Sequence, residues 1–455
     1  MRSACGYSVA NLDRCDSAVN NPLHPPALDL PDAARARWTS LIKVIREPSQ
    51  NWPREILERP LVVGKVGDRT LALIADPGAA RMVLMGDEDR FPKWAIYDRT
   101  IGRGVGPNSV SVARGEQWRR LRQAISPIFR PDRTRELFAE IRTAAEEAVQ
   151  GWARIDCDGR LDVALETTRI TLSIIWRILF PDVAKVFGDA TVDEAARRID
   201  AAQLAHDMTG VADQLTWLAQ QGMGDASSEE GSKGPPWVRG PSTAAGRGGR
   251  ALSREETFDN VRTLLGAGHE TTALTLAWAF WLIGQDLDVQ RRLHAEIDSV
   301  LGDLPLEFDQ IGRLVFTGQV LRETLRLYPP APVTVRQAAG ALQLAGTELP
   351  AGSVLAVCIY ALHRHRLWWA DPDAFRPDRF APGSGEPRHE FAFLPFSAGR
   401  HVCIAGQFGW IEAMTIFVTL LRRLQLTTNP TIRVRPRVGV TLRPDGPLQV
   451  SVRRR

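Results

Sequence analysis

The spacing of apolar and polar residues predicts a small β region followed by a long helical region. Residues 61–63 and 71–74 are apolar runs on either side of the turn-forming pair Gly67-Asp68, which predicts a β-hairpin. From about Gly115 onward, apolar residues recur every three or four positions, the period of an amphipathic helix. Helices are therefore predicted near residues 115–125, 132–152 and 160–180, punctuated by Pro127, Pro131 and Pro181.

The centre of the chain contains a long uncharged run. Residues 271–285 carry no charge and lie between Glu270 and Asp286. A membrane-spanning helix needs about 20 apolar residues, so this run predicts a helix that is buried on all sides within a large core. Ser253 followed by Glu256 is the pattern of a capping box, which predicts where that helix begins.

The composition changes just before this central helix. Residues 192–218 have the pattern of a short amphipathic helix, whereas half of the residues in 221–250 are Gly, Pro or Ser. Such a composition predicts a mobile loop or a poorly ordered insert.

The segment Gly102-x-Gly104-x-Gly106, early in the chain, is predicted to be a loop, since no strand leads into it and no helix opens from it as a nucleotide site requires.

After the central helix, shorter elements alternate. The pattern predicts helices near 288–301 and 317–327, strands near 333–337, 341–349 and 353–358, and two further strands within 438–452 joined at Pro444-Asp445-Gly446.

The composition is that of a globular protein. The chain has 455 residues, of which 44% are hydrophobic and 24% charged, enough for one large core or for several domains. A net charge of only +4 gives no support to a nucleic-acid partner. The N-terminal residues contain neither a signal peptide nor a membrane anchor. The five widely spaced cysteines fit a reducing compartment.

Cys403 is the residue whose surroundings most clearly indicate chemistry. It lies near the end of a glycine-bearing loop, Phe396 to Gly406, and the apolar helical run 411–421 follows. The N–H groups and the dipole of a helix N-terminus favour a thiolate, and the thiolate is the form that ligates metals. The pattern therefore indicates a metal site with a single thiolate. The alternative is a cysteine buried as a small hydrophobe.

The predicted central helix contains the sequence Ala-Gly-His-Glu-Thr-Thr, starting at Ala267. An acid and a hydroxyl, Glu270 and Thr271, are unfavourable inside an apolar helix unless they are used or paired. Gly268 costs about 1 kcal/mol relative to alanine in a helix. It therefore predicts that something approaches the backbone closely at this point.

Charged and aromatic residues form further patterns. Glu323 and Arg326 are three residues apart on one predicted helix face, where they can pair. Trp118 and Arg122 share another face, which suits the recognition of a carboxylate. Arg379 belongs to the segment Phe-Arg-Pro-Asp-Arg-Phe, between the Glu323 helix and the cysteine loop.

Together and in this order, these segments resemble the cytochrome P450 family over roughly residues 61–452. The resemblance is carried by the cysteine loop, Ala-Gly-His-Glu-Thr-Thr, Glu-x-x-Arg and Phe-x-Pro-x-Arg-Phe. It implies the mainly α cytochrome P450 fold: a large helical domain with a long central helix, plus a small β-rich region. We expect residues 1–455 to form one such domain, with about 1–40 irregular and about 221–250 a flexible insert in the lid region.

The resemblance also implies roles for individual residues. In the family the loop cysteine is the thiolate ligand of haem iron, which makes Cys403 the metal ligand and heme b (iron protoporphyrin IX) the cofactor. Glu270 and Thr271 correspond to the acid–alcohol pair that relays protons to dioxygen. Other cofactor-binding positions are implied at Trp118, Arg122, Arg336 and His401 for the propionates and at Phe396 beneath the sulfur. The buried structural triad corresponds to Glu323, Arg326 and Arg379.

The implied activity is that of a soluble, cytoplasmic haem-thiolate monooxygenase. It would insert one atom of O2 into a lipophilic small-molecule substrate. Electrons are expected from a separate ferredoxin, flavodoxin or reductase, since no redox domain follows Arg455. No nucleic acid and no membrane anchor are expected. A docking face for an acidic donor is predicted from the basic residues Arg119, Arg120, Arg400, Arg422 and Arg423.

The chain departs from the family pattern at three places. His401 replaces a more frequent arginine, and Ala405 replaces a more frequent glycine. Family members usually have two lid helices, which roof the substrate pocket, before the central helix. The second of these is not recognisable in this sequence, which leaves a shortened lid or an impaired substrate site. The alternatives are therefore a non-catalytic or substrate-impaired haem-binding protein, and an H2O2-dependent peroxygenase, against which the intact Glu270–Thr271 pair argues.

Overall fold

Helices make up most of the described structure. The computed structural model describes residues 22–33, 38–40, 43, 47, 51–99, 101–154, 160–204, 208–223, 252–387, 389–429 and 431–455. The predicted mainly α fold is confirmed. The helices are α1 (Pro77–Met85), α2 (Ile96–Arg99), α3 (Ile101–Val105), α4 (Gly115–Ile125), α5 (Pro131–Glu136), α6 (Phe138–Trp152), α7 (Val163–Leu179), α8 (Pro181–Leu204), α9 (Met208–Met223), α10 (Arg254–Gln285), α11 (Leu287–Leu301), α12 (Val315–Leu327), α13 (Ile359–Leu362) and α14 (Gly406–Leu421).

The strands form small sheets. One sheet has four strands in the order β1-β2-β7-β4, and a second has three in the order β3-β11-β8. The pairs β5-β6 and β9-β10 form two-stranded sheets. The strands are β1 (Leu61–Val66), β2 (Arg69–Ile74), β3 (Arg160–Asp162), β4 (Thr334–Gln337), β5 (Leu342–Leu344), β6 (Thr347–Leu349), β7 (Val354–Val357), β8 (Leu424–Thr427), β9 (Pro436–Val438), β10 (Leu442–Pro444) and β11 (Gln449–Arg454).

The central helix α10 begins where the sequence predicts. Ser253 accepts a hydrogen bond from the Glu256 N–H, and the Glu256 side chain accepts one from the Ser253 N–H, so the capping box is present. Residues 272–284 are all buried. The predicted helix buried on all sides is therefore confirmed, because α7, α9, α12 and α14 pack around it.

Two helices precede the central helix, and this corrects the sequence interpretation. The single amphipathic piece predicted at 192–218 is in fact α8 and α9, which pack against each other. The predicted loop-like segment 221–250 begins inside α9, and its residues from 224 onward lie outside the described residues. The hypothesis of an impaired substrate site depended on a missing second lid helix, and α9 removes that basis.

Other boundaries also differ from the predictions. Residues 160–162 are strand β3 rather than helix, since they pair with β11. The predicted helix 132–152 is divided between α5 and α6, and strand 341–349 is the β5-β6 hairpin. The strands β10 and β11 do not pair with each other as a hairpin at Pro444-Asp445-Gly446 would require, because β10 pairs with β9 and β11 with β3 and β8.

The glycine-rich segment near residue 104 is helical rather than a loop. Gly102 and Gly104 lie within α3, and only Gly106, with a φ of 91°, has a left-handed conformation. A Cβ at Gly106 would lie 1.9 Å from Asp259 Oδ1 of α10. Glycine is therefore needed where this segment packs against the central helix.

Candidate active site

The Cys403 loop is held in place by backbone contacts. The Cys403 N–H donates to the Phe396 carbonyl oxygen at 3.0 Å, which closes the loop, and α14 begins at Gly406. Gly399 has a φ of 72°, and a Cβ there would lie 2.0 Å from the Leu84 carbonyl oxygen. Glycine is thus required at 399 for the loop to pack against the end of α1.

Two observations describe the surroundings of the Cys403 thiol. Its side chain is accessible, yet burial by the surrounding protein raises the pKa of the thiol, while a hydrogen bond from the Ala405 N–H and the charge of Arg122 lower it. The sequence-based prediction of a lowered pKa is wrong for the free thiol, because burial outweighs the helix terminus. A coordinated metal ion would deprotonate the thiol regardless.

The four residues predicted to contact carboxylates come together beside this loop. Arg122 Nη1 donates to the Val402 carbonyl oxygen at 2.8 Å. The rings of Trp118 and His401 lie 4.3 Å apart, centroid to centroid. Arg336, on β4, is 4% exposed and contributes to the charge that His401 experiences.

Lys93 is a fifth member of this cluster, and the sequence reasoning missed it. It forms an antiparallel bridge with Arg336 and is 8% exposed. Burial, and then the charge of Arg336, lower the pKa of its amine to about 7. A signal existed, since Lys93 lies in an otherwise apolar segment after Phe91. Its Nζ atom lies 3.0 to 3.1 Å from the carbonyl oxygens of Val110, Ser111 and Ala113.

The cluster carries several positive charges, which Glu88 near Lys93 offsets only in part. Burial, followed by the charges of Lys93, Arg336 and Arg122, lowers the pKa of His401 to about 3. Neither ring nitrogen of His401 has a hydrogen-bond partner among the described residues. Like charges that are buried together repel unless an anion lies between them. A ligand that carries carboxylates, as haem does, fits this cluster and the accessible Cys403 beside it.

The central helix supplies a second accessible surface. Ala267 is exposed and Thr271 half-buried, although both lie in the middle of α10. The Thr271 hydroxyl donates to the Ala267 carbonyl oxygen at 2.9 Å. A Cβ at Gly409, in the first turn of α14, would lie 3.6 Å from Thr272 Oγ1. The helix that follows Cys403 therefore contacts α10 next to Thr271.

Gly268 allows close helix packing, as its helix position predicts. A Cβ at this residue would lie 3.3 Å from Ile175 of α7. The neighbouring Gly266 is similar, since a Cβ there would lie 3.1 Å from Leu215 of α9. The close approach at these glycines is thus made by helices, because α7 and α9 pack against α10 there.

Glu270 is paired, but not with Thr271. Its Oε1 atom accepts hydrogen bonds from the Thr441 hydroxyl and the Arg443 guanidinium, at the β9-β10 hairpin. Burial alone would raise the pKa of the carboxyl, but Arg443, Thr441 and His269 together hold it below its usual value. The structure therefore places the two predicted catalytic side chains on adjacent positions with different partners.

The predicted charged triad is assembled and buried. Arg326 donates to both Glu323 oxygens, at 2.7 and 2.8 Å, and Arg379 Nε donates to Glu323 Oε1 at 3.0 Å. All three residues are at most 2% exposed. Because Arg326 also donates to the carbonyl oxygens of His363 and Ala374, the triad ties α12 to the segment before the cysteine loop.

The predicted basic docking face is partly neutralised. Arg119 pairs with Glu116, Arg120 with Glu256 and Arg400 with Asp87. Arg422 donates to the Gly302 carbonyl oxygen at 3.1 Å. The Arg119 and Arg400 pairs are exposed and therefore weak, whereas the Arg120–Glu256 pair is partly buried.

Comparison with known proteins places these features in a family. A family model described as Cytochrome P450 matches residues 242–452. Cyclooctat-9-en-7-ol 5-monooxygenase of Streptomyces melanosporofaciens is 30% identical over 400 residues, covering 81% of this chain and 83% of that protein. Cyclooctatin synthase of the same organism is 27% identical over 413 residues, covering 86% and 88%. Taurochenodeoxycholic 6 alpha-hydroxylase of Sus scrofa is 25% identical over 423 residues, covering 85% and 83%.

Among the residues that the structure describes, no helix combines the length and the apolar character needed to cross a bilayer.

Proposed function

Since the chain belongs to the cytochrome P450 family and is a haem-dependent monooxygenase, we propose that it inserts one oxygen atom from O2 into a lipophilic alicyclic molecule. The observation that carries this proposal is the accessible Cys403 thiol beside a cluster in which the positive charges of Lys93, Arg122 and Arg336 act on His401. A thiolate ligand and a pair of propionate partners are what haem requires of its protein, and both lie at one site.

The cofactor proposed is heme b, held by residues of this chain. Cys403 would ligate the iron, with Phe396 packed beneath the sulfur. Haem with a thiolate ligand activates dioxygen for insertion into substrate. The propionates would be bound by the cationic cluster, which is Lys93, Trp118, Arg122, Arg336 and His401.

Proton delivery is proposed to involve Glu270 and Thr271. The Thr271 hydroxyl is on the accessible strip of α10, where it can hold a proton close to the reacting atoms. Glu270 is the adjacent acid, and it can exchange protons with solvent because its side chain is 17% exposed. Aligned groups of this kind contribute to catalysis by general acid–base transfer.

The substrate class follows from the relatives and from the lid. The two Streptomyces relatives are named for cyclooctatin and cyclooctat-9-en-7-ol, and the Sus scrofa relative is named for a taurochenodeoxycholic compound. In this chain the lid helices would be α8 and α9. They are rich in buried apolar residues, among them Val192, Val211, Leu215 and Leu218. We therefore favour a terpenoid or steroid-like skeleton as substrate. The electron donor is proposed to be a separate ferredoxin, flavodoxin or reductase, and the cytoplasmic location stays a prediction.

The proposal is tested by spectroscopy and by product analysis. The reduced protein with carbon monoxide should give the absorption band of a thiolate-ligated haem, and Cys403→Ala should abolish it. Cys358→Ala is the matched control, since this buried cysteine directly follows β7 and is packed in the hydrophobic core. With surrogate redox partners, a panel of terpenes and steroids should give products labelled from 18O2. Absence of the thiolate band in the parent protein would refute the proposal.

A further inference from the structure

The C-terminal hairpin reaches the central helix at one polar point. Thr441 and Arg443, at the β9-β10 hairpin, both donate to Glu270 Oε1. Arg443 Nε also donates to Thr441 Oγ1 at 3.0 Å, so the three side chains form a closed set. The partners are 171 and 173 residues apart in sequence. The contact is therefore a tertiary one that no local pattern predicts.

Both acidic and basic side chains surround this point. Asp200 of α8 lies close enough for Arg443 to lower its pKa, although burial and Asp162, the N-cap of α7, raise that pKa to about 6 overall. His269, on α10, is 1% exposed and lowers the pKa of Glu270. Arg437 of β9 is opposite Arg443 in the register of the hairpin, and Arg443 lowers its pKa. Arg443 thus interacts with carboxylates on two helices, Glu270 on α10 and Asp200 on α8.

We propose that Arg443 is a positioning residue for Glu270: the C-terminal hairpin, not Thr271, fixes the orientation and the ionisation of the acid on the central helix. The inference rests on the proposed function, in which Glu270 delivers protons. Arg443 holds Glu270 ionised, ready to take a proton from solvent and pass it towards Thr271.

The consequence is a specific effect on pH dependence. A buried carboxylate that loses its cation has a higher pKa, typically by about 1–3 units. If Glu270 must be ionised to accept a solvent proton, activity falls as pH drops through the pKa of this group. Arg443→Gln should therefore move the acid limb of the pH profile upward by about 1–3 pH units.

The experiment measures product formed per dioxygen consumed, from pH 5.5 to 9, in the haem-loaded enzyme with a surrogate donor. Arg443→Gln is compared with Arg443→Lys, which keeps a cation and should shift less. Arg435→Gln is the control, an exposed arginine of the same hairpin segment. Glu270→Gln should abolish the shift, so that Glu270→Gln with Arg443→Gln has the profile of Glu270→Gln alone.

A second measurement does not depend on turnover. As pH falls, Glu270 of the parent protein becomes protonated and Arg443 loses its ion pair, which destabilises the parent. The denaturant midpoint of Arg443→Gln should therefore increase relative to that of the parent protein as pH falls. The Asp200→Asn background distinguishes the two acids, Glu270 and Asp200. The shift caused by Arg443→Gln should persist in this background, because residue 200 no longer titrates. If Arg443→Gln does not fold, Thr441→Val removes the neutral donor and should give a smaller shift of the same sign.

The inference would be overturned by an unchanged acid limb in Arg443→Gln, or by an equal shift in the Glu270→Gln background. A shift that disappears in Asp200→Asn would also overturn it, because Asp200 would then be the group that Arg443 controls. Failure of the proposed function is recognised separately. In that case the parent protein has no thiolate band with carbon monoxide, or it forms no labelled product at any pH.

Discussion

Glu412 should make the stability of this protein fall as pH rises from acidic to mildly alkaline. It lies on α14, is 1% exposed, and its Oε2 atom has no partner among the described residues. Burial raises the pKa of its carboxyl from 4.5 to about 8, and a hydrogen bond with Thr272 offsets this only in part. The folded protein therefore keeps the carboxyl neutral under conditions where the unfolded chain ionises it.

The sign and size of the effect follow from proton linkage. Below pH 4.5 both states are protonated, and the contribution of the neutral group to folding is fully present. Between pH 4.5 and about 8 the unfolded chain releases a proton that the folded state retains. Stability is therefore lost across this window, by about 1.4 kcal/mol per pH unit and about 5 kcal/mol in total.

Glu412→Gln is the informative variant, because the amide has the same shape and does not titrate. The free energy of unfolding is measured with urea at pH 5, 6, 7 and 8 for both proteins. Their difference should grow with pH in favour of the variant, and cofactor contributions common to both cancel in it. Glu140→Gln, which removes an exposed carboxylate on α6, is the control and should give a flat difference. A flat difference for Glu412→Gln would refute the reasoning, since the carboxyl would then be ionised in the folded state.

Three further substitutions test the packing around the site. Gly399→Ala should destabilise the protein by about 1–3 kcal/mol in urea unfolding, because its Cβ would overlap the Leu84 carbonyl oxygen and its φ is left-handed. Glu323→Gln should cost about 3–5 kcal/mol in the same assay, since the fully buried Arg326 would lose its counter-charge. Lys93→Met should speed the transfer of haem to an acceptor protein by about ten- to a hundredfold, because a charge-assisted contact is worth about 1.5–3 kcal/mol and each 1.4 kcal/mol is a factor of about ten.

Each of these variants has a matched control. Gly383→Ala also changes a glycine with positive φ, but no atom lies within 4 Å of its Cβ position, so it separates strain from overlap. Glu390→Gln changes an exposed acid and is the control for Glu323→Gln. Lys65→Met changes a lysine on β1 outside the cluster and is the control for Lys93→Met. Equal effects of a variant and its control would contradict the corresponding prediction.

Local signals in the sequence were reliable for the fold. The capping box at Ser253 and the turn at Gly67 are contacts between near neighbours, and both elements formed as predicted. The helix α9 was missed because residues 208–223 hold only one charged residue, so the polar half of the helical pattern is weak. Pairing of β10 was misjudged because its partner β9 precedes it in the chain. That residues 1–455 form one domain stays a prediction.

The site was predictable to the extent that motifs carried it. Cys403, Arg122 and Arg336 were predicted from the resemblance, whereas Lys93 and the long-range partners of Glu270 were not, since Arg443 is 173 residues away from Glu270. The direction of the Cys403 pKa was also missed. A helix terminus can be identified from the sequence, but the burial that outweighs it depends on tertiary packing.

Lys93 shows why the site requires an anion. Three carbonyl oxygens surround its Nζ atom, and only the protonated amine has three donors to satisfy them. Burial and the charge of Arg336 favour the neutral amine instead. Hydrogen bonding and electrostatics therefore demand opposite protonation states of one group. A carboxylate beside Lys93 and Arg336 resolves this conflict, because it offsets the repulsion and leaves all three hydrogen bonds in place. The same anion would accept a hydrogen bond from His401, whose ring nitrogens have no partner among the described residues.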